Sequence, residues 1–160
     1  VDHGFPARVV VPGLYGYVSA TKWVERIQLI GWEEADGYWI PRGWAKEAPI
    51  KTQSRIDVPR RGTVLDPGPM AIAGVAWAQH RGVESVEVRV DDGPWRSAQL
   101  GDEVTVDAWR QWYLPWTATT GNHRISVRAT DRDGRTQPAE RKRPDPDGAE
   151  GWHTIVVDVR

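Results

Sequence analysis

The chain has 160 residues with 21 basic and 22 acidic side chains, a near-neutral balance that argues against nucleic acid or an anionic bilayer surface as its main partner. It has no cysteine, which excludes disulfides, thiolate metal sites and thiol nucleophiles. No apolar run reaches the roughly 18 residues of a membrane span, so direct membrane insertion by this chain is not expected. No basic-then-apolar leader opens the chain, which starts at Val1-Asp2-His3 and reads as a portion of a longer protein.

Residues 1–22 are rich in glycine and proline and read as an irregular N-terminal segment, with a short strand-like run at Arg8–Val11. Further strand-like runs follow at Val24–Ile30, Ile50–Val58 and Met70–Ala78. Val86, Val88 and Val90 then alternate with Glu87 and Arg89, the period of two that sends the valines to one face of a strand. Asp92-Gly93 comes next, a dipeptide suited to a tight hairpin turn because both residues tolerate positive φ. Arg110–Thr117 is another strand, and Ile125, Val127 and Ala129 alternate with polar neighbours before a turn at Asp133-Gly134. Residues 131–151 form a long charged connection, and Ile155, Val157 and Val159 alternate in a closing strand. Helical periodicity is nearly absent. Many short strands with regular turn signals predict an all-β, immunoglobulin-like (E-set) β-sandwich.

Ten tryptophans stand out. Core packing is one reading, since each indole buries a large apolar area; an exposed platform for sugars or a partner chain is the other. The four histidines are too scattered for a zinc site, and no nucleophile elbow, phosphate loop or dinucleotide fingerprint is present. The adjacent carboxylates Glu33-Glu34 and Asp91-Asp92 point to opposite faces if they lie on strands, a poor geometry for paired acid–base work.

The N-terminal segment carries more. His3, Arg8 and Lys22 place three cationic or hydrogen-bonding groups in a short stretch, and Gly4, Gly13 and Gly16 let backbone amides approach a ligand. Arginine suits bidentate phosphate binding and lysine a point-charge contact, so the segment reads as an anion site, against the plainer reading of a surface loop with scattered charges.

His3–Trp23 resembles the HGxPxR-VVVPG…G…KW signature of the sulfite oxidase family. Later blocks are similar to that family's C-terminal dimerisation domain, in order along the chain: Ala48–Ile56, Ile72–Trp77, Val86–Trp95, Trp109–Trp112, Arg128–Asp131 with Gln137-Pro138, and Gly151–His153. Gly16–Trp23 and Tyr38–Trp44 look most like actinobacterial, membrane-anchored members, which would tie the parent protein to a bacterial plasma membrane. The resemblance implies that residues 1–22 are the tail end of a molybdopterin-binding domain and residues 23–160 an Ig-like dimerisation domain. It implies that His3, Arg8, Ala20, Thr21 and Lys22 contact a molybdenum–molybdopterin cofactor held mainly by an upstream domain. This portion alone would hold no cofactor and be inactive, and the parent would be a homodimer. In the family an arginine seven residues before the final Trp-His reaches the substrate anion. Asp145 holds that position here, with Arg143 two residues away as the candidate substrate contact. Trp109, Trp112 and Trp116 are expected on a docking face, and Gly31–Trp44 as a further aromatic docking surface. An independent carbohydrate- or protein-binding Ig-like module is the alternative.

Overall fold

The computed structural model describes residues 1–160, which form two compact units: Val1–Ile50 with Lys142–Ala149, and Lys51–Arg141 with Glu150–Arg160. The first unit has little regular structure. Strand β1 (Arg8–Val9) pairs antiparallel with β2 (Thr21–Lys22), and a single helical turn, α1 (Gly16–Ser19), leads into β2. The strand expected at Val24–Ile30 does not form. No chain segment lies alongside to complete its hydrogen bonds, and Ile27 and Leu29 stand in solvent at 84% and 100% exposure.

The second unit contains β3 (Gln53–Val58), β4 (Val64–Leu65), β5 (Gly68–Trp77), β6 (Val83–Val90), β7 (Arg96–Ser97), β8 (Gln99–Leu100), β9 (Arg110–Ala118), β10 (Gly121–Asp131) and β11 (His153–Val159). They build two sheets, β4-β11-β10-β6-β7 and β3-β5-β9-β8, which face each other as the expected immunoglobulin-like sandwich. Period-two alternation builds the core: Val86 and Val88, then Ile125, Val127 and Ala129, then Ile155, Val157 and Val159 all point inward. They meet Ile72 and Ala76 of β5 and Trp112, Leu114 and Trp116 of β9. The expectation of a docking face carrying Trp109, Trp112 and Trp116 is therefore overturned. Trp112 and Trp116 are 2% and 8% exposed core residues, while Trp109 stands outside, tilted against Trp77.

The turn after β6 also differs from expectation. Asp91, not Asp92-Gly93, takes the positive φ (53°), because its carboxylate accepts the Arg124 amide (2.8 Å) and contacts His123 (2.8 Å).

Along one border of the sandwich, polar groups join β3 and the residue before it to the opposite sheet. Thr52 Oγ1 donates to Asp131 Oδ2 (2.7 Å), Ser54 Oγ to Gln137 Oε1 (2.6 Å), and the Ile56 amide to His153 Nδ1 (3.0 Å). Gln137 is itself buried and donates to the Gly151 carbonyl (2.7 Å).

Two histidines of this unit are held in opposite protonation states. His123 faces two acceptors, Asp91 Oδ2 at Nδ1 and the Thr119 carbonyl at Nε2 (2.7 Å), which calls for a proton on both nitrogens. The Asp91 hydrogen bond, then the Thr119 carbonyl, raise its pKa against the opposing effect of burial. His153 accepts the hydrogen bond of the Ile56 amide at Nδ1, so it must keep that lone pair unprotonated; burial, then Arg55, push its pKa down. The stabilising share of His123 is complete below the ordinary value of about 6.5 and lost as pH rises through its raised folded value. That of His153 is complete above about 6.5 and lost as pH falls through its lowered folded value. Thermal midpoints followed from about pH 5 to 8 should show His123→Asn losing the alkaline-side decline and His153→Asn losing the acid-side decline. Profiles parallel to the parent in both variants would contradict these protonation states.

Candidate functional site

Register in the first unit sets two cations opposite each other: Arg8 pairs across β1–β2 with Lys22, and Val9 with Thr21. Both cations are exposed, and like charges facing each other across a strand pair are unfavourable unless an anion lies between them. Lys22 Nζ donates to the Asp2 carbonyl (2.5 Å), which ties β2 to the turn that bears His3. His3 is exposed on that turn.

Gly4 shows how tightly the turn is drawn in. It is buried with φ of +92°, and a Cβ there would stand 3.0 Å from Lys22 Cγ and 3.2 Å from Arg8 Cβ. Only glycine lets the backbone pass beneath both stems in this conformation. Trp23, at φ of +50°, donates from Nε1 to the Phe5 carbonyl (3.3 Å), and Lys22 Nζ lies 5.6 Å from its ring.

The segment before Thr21 is fixed from behind. The Ala20 amide closes α1 on the Gly16 carbonyl (2.9 Å), and the buried Ser19 hydroxyl donates to the Leu14 carbonyl (3.1 Å). Ala20 and Thr21 are thereby presented on a short, held connection, with Thr21 exposed.

Arg143 lies in the 142–149 segment of the same unit. The Pro146 carbonyl accepts the Ala45 amide (2.9 Å) and the Tyr17 hydroxyl (3.1 Å), and Gly148, at φ of +105°, passes against the Tyr15 ring. Arg143 Nε donates to Asp145 Oδ1 (3.0 Å) with both side chains exposed. The structure thus brings Arg8, Thr21 and Lys22 together on one strand pair, links His3 to it through Asp2, and pairs Arg143 with Asp145.

A groove of about 1440 Å³ adjoins this strand pair, with Ala20, Thr21 and Lys22 on one wall and the rings of Trp23, Trp32, Tyr38 and Trp39 around it. Lys46 anchors the far side, bonded to the carbonyl of Trp32 and to Asp36 (2.8 Å) and lying over the Trp32 ring. Tyr17, Trp44, Trp39 and Tyr38 form a run of ring contacts at 4.6, 5.8 and 5.1 Å. The aromatic density of Gly31–Trp44 signals this cluster in the sequence; the groove beside Thr21 and Lys22 does not show there. Two thirds of the exposed large hydrophobic side chains of the whole chain fall within residues 1–39.

A family profile for the oxidoreductase molybdopterin binding domain matches residues 1–39. Mitochondrial sulfite oxidase of Homo sapiens is 32% identical over 162 residues, covering 86% of this chain and 29% of that protein. Sulfite oxidase of Gallus gallus is 30% identical over 164 residues, covering 86% of this chain and 35% of that protein. Among solved structures, the sulfane dehydrogenase SoxCD from Paracoccus pantotrophus matches with a TM-score of 0.71 at 26% identity, over 99% of this chain and 47% of that one. The chain spans about a third of the length of these curated relatives.

Proposed function

The chain belongs to the sulfite oxidase family of molybdopterin oxidoreductases, and from that premise we propose that it completes the cofactor pocket of a longer protein without being catalytic alone. In this reading residues 1–22 are the tail of the cofactor domain and residues 23–160 carry the Ig-like dimerisation domain. The observation that carries it is the facing pair Arg8 and Lys22 over the Gly4 turn.

The donor set fits a phosphate. Arg8 offers a planar fork and Lys22 a compact charge, and no side chain at Gly4 intrudes between their stems. His3 adds a donor from the turn and Thr21 its exposed backbone, while Ala20, its amide held on the Gly16 carbonyl, fixes the approach of Thr21. When bound, the molybdenum–molybdopterin group supplies the family's oxygen-transfer chemistry. The thiolate that holds the metal must come from elsewhere, since this chain has no cysteine. Arg143 is the candidate contact to an anionic substrate, and its bond to Asp145 would have to open for that role.

The exposed apolar side chains of residues 1–39 support an upstream cofactor domain as the partner, because patches of that kind mark surfaces covered in the intact assembly. The outer face of the β3-β5-β9-β8 sheet supports a homodimer. Pro69, Ala71, Ala73 and Val75 of β5 lie beside Tyr113 and Pro115 of β9 as an uncharged strip, bordered on β3 by Arg55, which is neutralised by Asp57 (2.7 Å), an apolar centre with a polar rim.

The test is made on the longer protein that carries this domain. Bound molybdenum and pterin are measured in the parent and in the His3→Ala, Arg8→Ala, Lys22→Ala triple variant. Two lost charge-assisted contacts cost about 3–6 kcal/mol, so cofactor retention should weaken by roughly 100-fold or more. A triple variant that keeps its full complement of pterin would refute the assignment.

A further inference from the structure

On the outer face of the five-stranded sheet, one cation lies against two indoles that also touch each other. The Arg89 guanidinium is 4.9 Å from the ring of Trp95 and 5.1 Å from that of Trp152, and the two rings meet edge-on at 4.8 Å. Trp152 is itself fixed, donating from Nε1 to the Gln137 carbonyl (3.0 Å), and Gln137 is buried. The neighbouring arginine is accounted for: Arg128 donates to Glu87 Oε2 (2.8 Å) while lying 4.3 Å from the Trp95 ring. The residue facing Arg89 across the strands, Ser126, is occupied with Thr154 (2.9 Å). Arg89 has no acidic partner, and its Nε is buried without an acceptor.

We propose that Arg89, lying against Trp95 and Trp152, is a recognition site for a carboxylate group. A cation–π contact with indole rings satisfies none of a guanidinium's in-plane N–H donors. Its two terminal N–H2 groups therefore stand pre-oriented beside the rings, and a planar carboxylate matches that parallel pair of donors end-on, Nε being buried. The inference concerns a face of the sandwich and is independent of the cofactor assignment. The carboxylate can belong to a free dicarboxylate or to an acidic side chain of a protein partner, and the two are separable.

The full chain is titrated with succinate, with a glutamate-rich peptide, and with sodium chloride at matched ionic strength. The Trp95 and Trp152 indole N–H and the Arg89 Nε–H resonances are followed. Saturable shifts of these signals are expected with both carboxylate probes and not with chloride. Arg89→Gln should weaken the response at least roughly tenfold, and Arg89→Lys, which keeps the charge and loses the fork, should weaken it too. Trp95→Phe gives a second reading if Arg89→Gln fails to fold, with weaker binding again expected. Equal response per carboxylate assigns the site to small dicarboxylates, and a much tighter response to the peptide assigns it to a protein partner. Shifts reproduced by chloride, shifts unchanged in the folded variants, or no saturable shift with either carboxylate probe would overturn the proposal.

Discussion

Replacing Asp131 by alanine is expected to cost the sandwich unit about 3–5 kcal/mol, the range for removing one partner of a buried charge pair. Asp131 is fully buried at the end of β10. Its Oδ2 accepts from Thr52 Oγ1 (2.7 Å) and Arg81 Nε (2.9 Å), and its Oδ1 from the amides of Asp133 (3.1 Å) and Arg135 (3.0 Å). Burial alone would push this carboxyl up; the bonds from Thr52 and the Arg135 amide, with Arg81, outweigh it and hold the pKa low. Alanine removes the acceptor of Arg81 Nε, Thr52 Oγ1 and two turn amides, whereas asparagine keeps an oxygen for the turn amides and sets an N–H2 donor where Oδ2 accepted from Arg81 and Thr52. Asp131→Asn should therefore fall between the parent and Asp131→Ala in denaturant midpoint, followed by tryptophan fluorescence. Because the folded pKa is lowered, the contribution is complete above the ordinary aspartate range and lost as pH falls through the folded value. Near-parental stability of Asp131→Ala would show that this network does not hold the two sheets.

The second large effect is expected at Gly74, in the middle of β5. A Cβ there would stand 1.9 Å from the Arg55 carbonyl oxygen and 2.9 Å from Trp112 Cζ2. Neither neighbour can withdraw. Arg55 lies in the adjacent strand, close to the register shift between Ile56 and Val58, and Trp112 is enclosed by the core. Gly74→Ala must therefore separate β3 from β5 or drive the indole from its slot, at a cost of about 3 kcal/mol. Ala71→Ser, on the exposed face of the same strand, should stay within about 0.5 kcal/mol and serves as the control. Equal unfolding midpoints for the two variants would count against the close approach at Gly74.

Most of the sandwich was legible from alternation alone, because a period of two is a local property. Val86 and Val88 of β6, Ile125, Val127 and Ala129 of β10, and Ile155, Val157 and Val159 of β11 are buried as the pattern requires, and Val156 faces out. The same rule places Trp112 and Trp116 on one face and Trp109 on the other, so grouping all three on a docking face set the period aside. Contacts between distant residues left no local trace. Thr52 with Asp131, Ser54 with Gln137 and Ile56 with His153 join residues 79, 83 and 97 positions apart. The Asp91 turn was misplaced for the same reason, since the Arg124 amide and His123 reach it from another strand. Around the candidate site, the residue types were readable in the sequence. The facing of Arg8 and Lys22, and the glycine beneath them, emerged only with the register of β1 and β2.

The border fastened by Thr52, Ser54 and Ile56 bears on how the chain behaves among copies of itself. Strand β3 is the outer member of its sheet, and an outer strand ordinarily offers a template on which another molecule can add and aggregate. Here the Ile56 amide is already taken by His153, and the neighbouring side chains are committed to Asp131 and Gln137. An incoming strand would have to break those bonds before forming its own. Acid removes part of that protection, because a protonated His153 Nδ1 can no longer accept the amide. Loss of this one acceptor leaves the Ile56 amide open to an incoming strand, while the Thr52 and Ser54 bonds still hold the margin.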